Sequence, residues 1–439
     1  MNLLVGLVEN RVKCVFRTGI LQLMTSRIIV LSTFIGLGFG FWWQASAQLA
    51  PVPVPVENPI TESKRVLGKI LFWDEQLSSN NTVACGTCHQ PAFGGGDPRY
   101  GRYTGSDKGT IDDIWGSPGV VHMDENGDSV EHSMFGFEPQ VTPRLTPSNF
   151  GALWAAEQFW DGRATSEFVD PLTGEIVIAS GGSLESQVIS PLFNPVEMAR
   201  PERTWEDLTS KLQMVRPLAL ASNIPPDMAE AIQSNPDYPS LFEAAFENSD
   251  ITPVRIVFAI ATYERTLVAD QTPWDYYMAG DENALSEDAI YGWRVFQELR
   301  CVNCHEPPLF TNNDYLNIGL RLSKYDLGRR AITGVEEDGG EVKVPSLRNV
   351  GLKARFMHTG EFSRLSEAIV FYDNGIALPG RDDIPNGGAY NFNITGYVPY
   401  DLEAFLRNGL TDPRVKNETF PFDRPTLNSE SSLQVQELP

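Results

Sequence analysis

Apolar residues recur along this chain mostly at helical spacing. In "LSEAIVFYDNG" (365–375), Leu365, Ala368, Ile369 and Tyr372 fall at i, i+3, i+4 and i+7, and an Asp-Asn-Gly turn follows. The pattern predicts the end of an amphipathic helix with a tyrosine on its buried stripe, which by itself is an ordinary core phenol. A second stripe, Ile290, Trp293, Phe296 and Leu299, follows Ser286 at an N-cap position and Glu287 and Asp288 in a first turn. "SNPDYPSLFEAAF" and "VRIVFAIATYERTL" also read as helices, whereas the Gly/Asp-rich stretches 90–145 and 166–183 read as loops. The fold class predicted is mainly α, with long loops and little β. Two helical domains, 61–270 and 271–422, meet near residues 265–285.

The N-terminus is patterned differently. Arg27 precedes the apolar run Ile28 to Trp43, and Ala45-Ser46-Ala47 supplies a small-x-small cleavage site, so residues 1–47 read as an export signal and the mature chain as periplasmic. Met24 offers an alternative start to Met1, because it gives a signal of ordinary length. The run is short for a membrane-spanning helix, which argues against an anchor once the signal is cleaved. "APVPVPVENP" within 48–60 reads as an extended Pro-rich linker, and 423–439 as a disordered tail.

Charge narrows the partners. The 439-residue chain carries a formal −23; residues 1–47 contribute a net +3, so their removal leaves −26. Such acidity excludes nucleic acid and favours encounter with a basic protein, such as a small electron carrier.

Of five cysteines, Cys14 lies in the leader and the others form two identical patterns. "CGTCH" (Cys85, Cys88, His89) and "CVNCH" (Cys301, Cys304, His305) each match C-x-x-C-H, the attachment site of a c-type haem. Two thiols at that spacing reach two vinyl groups of one porphyrin while the adjacent histidine turns beneath the iron. Redox CxxC pairs, disulfides or a shared zinc site are the alternatives. None of them explains the two following histidines. The domains are therefore read as cytochrome c-like, each with a covalently attached haem.

Further motifs, "LGKILFWDEQLS", "FWDGRA", "SPLFNPVEM", "AIATYERTLVADQTPWDYYMAGD", "VPSLRNVGLKARFMHTGEF" and "DLEAFLRNGL", extend the pattern from about Leu67 to Val415. Together they resemble the bacterial di-haem cytochrome c peroxidase and MauG superfamily. The resemblance implies a peroxidase-type oxidoreductase whose first haem, on His89, meets hydrogen peroxide and whose second, on His305, stores or relays electrons. It implies that Trp160 links the haems and that Gln187 and Glu197 handle protons beside the first. A carboxylate in an apolar pocket suits that task, and Glu197 lies between Val196 and Met198.

The resemblance also gives Tyr372 a role. The family's peroxide-detoxifying branch places a methionine ligand of the second haem at this position, and its MauG-like branch places a tyrosine. A thioether favours ferrous iron, whereas an anionic phenolate favours ferric and higher states. Met357, beside His358, is the rival ligand. His122 and His132, in the long 90–145 insert, are the candidates for a loop histidine that caps the first haem at rest. The family's calcium is held in part by an asparagine of "PRNxP"; here the segment is "PRLTP" with Leu145 at that place, which argues against the ion. Tyr372 leans the reading toward oxidation of a protein partner. A peroxidase fed by a small cytochrome or cupredoxin and a non-catalytic electron-transfer cytochrome are the alternatives.

Overall fold

The computed structural model describes residues 48–104, 113–373 and 398–433. The expected export signal, with the alternative Met24 start and the expected cleavage site, lies outside them. No helix among the described residues is long and apolar enough to cross a membrane.

The predicted helices form where caps and stripes coincide. In chain order they include α1 (Glu62–Trp73), α2 (Cys85–Cys88), α3 (Ser183–Phe193), α4 (Tyr238–Phe246), α5 (Pro253–Glu264), α6 (Glu287–Glu298), α7 (Leu365–Asp373), α8 (Val398–Ala404) and α9 (Asn428–Leu433). The Ser286 side chain caps α6 by accepting from the Ala289 N–H, and Trp293 and Phe296 are buried. Asp237 caps α4 in the same way through Ser240. Helix α5 is buried almost all round, from Ile256 to Glu264, and α1 packs against it.

Two hydrophobic cores result, within one compact unit. The first gathers α1, α4 and α5 and runs in sequence from Val66 to Ala269; the second runs from Trp274 to Leu410 around Trp293, Phe296, Phe310 and Phe405. Val415, Phe422 and Leu427 then return to the first core.

Three expectations need correction. The segment expected as a disordered tail is packed as far as it is described: Leu427 is fully buried, α9 follows it, and Glu430 accepts from Gln90 (2.9 Å) and Arg424 (2.8 Å). The 48–60 linker is docked, because an extended Pro-rich strand leaves its carbonyls open to donors: Arg265 reaches the Pro53 carbonyl and Trp154 that of Ala50. Asn58 is buried, donating to Glu185 and to the Phe258 carbonyl. The Gly/Asp-rich loops contain three antiparallel hairpins: β1 (Gly101–Tyr103) with β2 (Ile114–Gly116), β3 (Pro118–Val121) with β4 (Pro139–Val141), and β5 (Phe168–Val169) with β6 (Ile176–Ile178). A fourth joins β7 (Tyr315–Leu316) to β8 (Val342–Lys343), with Tyr315 opposite Lys343.

Candidate active site

Six of the residues singled out in the sequence converge. Cys85, Cys88, His89, Trp160, Gln187 and Glu197 line one cavity of about 530 Å³, within the range of cofactor pockets. Helix α3 supplies one wall through Leu184, Gln187, Val188 and Pro191, which share a face at i, i+3, i+4 and i+7. Helix α5 supplies Ile260 and, one turn on, Glu264; α1 supplies Phe72.

The cysteine pattern folds as its chemistry requires. Helix α2 is a single turn, which carries both thiols, and His89 caps its end. Cys85, Cys88, Cys301 and Cys304 form no disulfide. Burial pushes the Cys85 and Cys301 thiols up to about 12 and raises Cys88 too. Such raised thiols contrast with the acidic thiols of a redox CxxC pair.

Both histidines are held from behind. His89 Nδ1 stands 3.0 Å from the Gly95 carbonyl, and His305 Nδ1 stands 3.1 Å from the carbonyls of Phe310 and Pro345. A carbonyl only accepts, so Nδ1 carries the hydrogen in each ring and Nε2 keeps a lone pair for a metal. Burial lowers both basicities, that of His305 to about 4, so the rings stay neutral as ligation demands. Gly95 makes the first contact possible. Its φ is +73°, and a Cβ there would collide with the Asn149 side chain. Two free thiols one turn apart, a neutral histidine with an open Nε2 and apolar walls fit a c-type haem.

Glu197 lies just past α3, where its carboxylate accepts from Asn194 Nδ2 at 2.8 Å. Its remaining surface faces the cavity rather than bulk water, and this burial raises its pKa while Arg163 pulls it down. Trp160 is buried, donates from Nε1 to the Leu145 carbonyl at 2.7 Å, and lies 6.0 Å from the His358 ring. Leu145 thus sits in the expected calcium segment with its carbonyl engaged by the indole. Its neighbour Arg144 bridges Asp161 and Asp326 at 2.6 Å each. Among the described residues, no group of three or more His, Cys, Asp or Glu is arranged to hold a metal ion.

The second core receives Cys301 and Met357 at its edge, both partly buried. Tyr372 occupies the last turn of α7, half-buried with its ring edge-on to Phe371 at 5.2 Å, while its stripe partners Leu365, Ala368 and Ile369 are buried in that core. The two loop histidines stand elsewhere. Neither lines the His89 cavity; their rings meet each other at 5.0 Å on the hairpin insert. His132 Nδ1 accepts the N–H groups of Met134 and Phe135, which fixes its proton on Nε2 and takes that nitrogen out of use as a ligand in this conformation.

Sequence reasoning missed Glu264 and the placement of His358. Glu264 is buried in the cavity wall, its Oε2 lacks a hydrogen-bond partner among the described residues, and burial raises its pKa to about 8. The available signal was a lone carboxylate ending the apolar run "RIVFAIATYE". His358 belongs to the motif "VPSLRNVGLKARFMHTGEF", but nothing in that motif announces that its ring stands against Trp160.

A helical chain with two haem-binding cysteine patterns and an acid-lined pocket beside the first defines an oxidoreductase with two c-type haems. Residues 62–283 match the family model for di-haem cytochrome c peroxidase, and the chain belongs to that family. It is 30% identical over 74% of its length to the methylamine utilization protein MauG of Methylorubrum extorquens, spanning 72% of that protein. It is 27% identical over 79% of its length to cytochrome c peroxidase Ccp of Escherichia coli K12, of which it spans only 62%. A solved MauG-like protein associated with microbial copper homeostasis shares the fold at a TM-score of 0.60 and 24% identity, covering 85% of this chain and 96% of its own. Relatives named as peroxidases place this chain among the haem peroxidase-type oxidoreductases.

Proposed function

We propose that this protein is an exported, periplasmic di-haem enzyme that uses hydrogen peroxide to oxidise a protein partner. One observation carries the reading: Gln187, Glu197 and Trp160 converge on the cavity that holds Cys85, Cys88 and His89. Cys85 and Cys88 would hold one haem by thioether bonds with His89 beneath it, and Cys301, Cys304 and His305 the other. When bound, the first haem supplies an iron at which the peroxide O–O bond is polarised. With the haem group supplying the two electrons that break the O–O bond, Glu197 would take the proton from one peroxide oxygen and return it to the other, which would leave as water, while the Gln187 amide would orient the peroxide. Trp160 would link the two centres, and its indole is fixed by its bond to Leu145.

Tyr372 would hold the iron of the second haem, a role that favours the MauG-like reading over detoxification with a basic small cytochrome or cupredoxin as donor. A phenolate ligand would favour the ferric state, so the resting protein would meet peroxide without prior reduction. The test is to mix the fully oxidised protein with one equivalent of hydrogen peroxide and follow both haem spectra. Direct reaction at both centres, lost in Tyr372→Met, is expected. Reaction only after one electron has been added would overturn the Tyr372 assignment and leave the donor-fed peroxidase.

A further inference from the structure

We propose that Tyr315 is a redox-active residue, oxidised through Trp160 with Glu157 taking its proton, and that it carries oxidising equivalents to the protein surface. The inference rests on the peroxide reading for the source of those equivalents. Its basis is a cluster that the peroxide chemistry leaves unused.

Tyr315 donates from its hydroxyl to Glu157 Oε2 at 2.9 Å. Arg329 locks the acceptor in place with an ion pair to Glu157 at 2.6 Å, and its guanidinium lies over the Tyr315 ring at 3.9 Å. The cluster is built onto the Trp160 segment. Arg329 also donates to the Asp161 carbonyl, and Lys343, opposite Tyr315 in its hairpin, donates its N–H to the Trp160 carbonyl at 2.8 Å. Gly162, two residues past Trp160 with φ +75°, is where the tyrosine packs: a Cβ there would collide with the Tyr315 hydroxyl and with Arg329. Tyr315 and Glu157 are both half-exposed, so this end of the arrangement meets solvent.

A phenol resists losing an electron while it keeps its proton, because the cation radical is strongly acidic. The Arg329 charge against the ring raises that resistance further. A carboxylate within hydrogen-bond distance removes the obstacle. One electron passes from the ring to the oxidised Trp160, the proton crosses the hydrogen bond to Glu157 Oε2, and a neutral phenoxyl radical and a neutral carboxylic acid remain. An electron from an oxidisable side chain of the protein partner, with return of the proton from Glu157, restores the pair. Tyr238 makes a similar bond to Asp74 at 2.6 Å, but it is sealed in the first core, where Asp74 also accepts from Gln76 and Leu218. That pair is structural; Tyr315 has both a redox neighbour and an exit.

The experiment is rapid-freeze EPR of the holoprotein, grown with ring-deuterated tyrosine, after one equivalent of hydrogen peroxide. A parallel sample is oxidised by flash-quench with a ruthenium photo-oxidant. The expected result in both is a radical signal that narrows on deuteration and is lost in Tyr315→Phe, which keeps the ring and its packing. Glu157→Gln keeps the hydrogen bond but cannot take the proton, and it loses the signal too. Peroxide consumption with an undiminished signal in Tyr315→Phe overturns the proposal, as does a full signal in Glu157→Gln. A flash-quench signal at Tyr315 without any reaction with peroxide upholds the tyrosine's redox role and strikes down the peroxide reading instead.

Discussion

Arg265 and Glu185 face each other in a bidentate ion pair, with Nη1 and Nη2 at 2.6 and 2.7 Å from the two carboxylate oxygens and both side chains sealed from water. Glu185 belongs to α3, two residues before Gln187, and Arg265 directly follows α5. The pair therefore fixes one wall of the cavity against another. Removing one partner strands the other charge, along with Asn58, which donates to the same carboxylate. Glu185→Ala is expected to cost about 3–5 kcal/mol in urea unfolding. It should also slow the reaction with peroxide more than a stability loss alone explains, because α3 carries Gln187.

Glu197→Gln tests the proton step directly. The amide fills the same volume but accepts no proton, so the second-order rate with peroxide should fall by about 10²–10⁴-fold in stopped flow. In the parent protein the rate should rise with pH through the Glu197 pKa, which burial holds above the ordinary 4.5, because the base works only when ionised. That limb should vanish in the variant.

Glu264 couples stability to pH with the opposite consequence. Below about 4.5 its carboxyl is protonated whether the chain is folded or not. Between that ordinary value and about 8 the folded state keeps a proton that the unfolded chain has released. Stability from this group is therefore full at low pH and lost as pH rises through about 8. Denaturant midpoints measured across this range should fall with pH in the parent and fall less in Glu264→Gln.

Gly95→Ala forces an L side chain into the left-handed region at a cost of roughly 1–2 kcal/mol, and it pushes Asn149 aside. The larger effect expected is on haem. With the Gly95 carbonyl displaced, His89 loses the partner that sets its tautomer, and the optical spectrum should show the first haem with a weakened or absent histidine ligand while the second is unchanged.

Much of this was legible in the sequence because its signals are local. Caps and 3.6-residue stripes gave α4, α5, α6 and α7, and each CxxCH pattern places its ligands within five consecutive residues. The hairpins were not legible, since strands of two to four residues in Gly/Asp-rich stretches carry no alternation that rises above turn chemistry. The tail misled by composition: "TLNSESSLQVQELP" is polar, yet Leu427 fills a core slot whose other walls lie hundreds of residues away. The cavity divides the same way. Trp160, Gln187 and Glu197 have no shared spacing with His89 and were reached only through the family resemblance. Glu264 and Tyr315 required the packing itself.

The return of residues 415–430 to the first core ties distant parts of the sequence together. Glu75 accepts the N–H groups of Asn428 and Ser429 at 2.8 and 3.1 Å, and Val415, Phe422 and Leu427 finish the packing that Val66 begins. Leu427 belongs to the same core that Cys85 packs against, so the first haem-binding segment and a segment more than three hundred residues later share one body of packing.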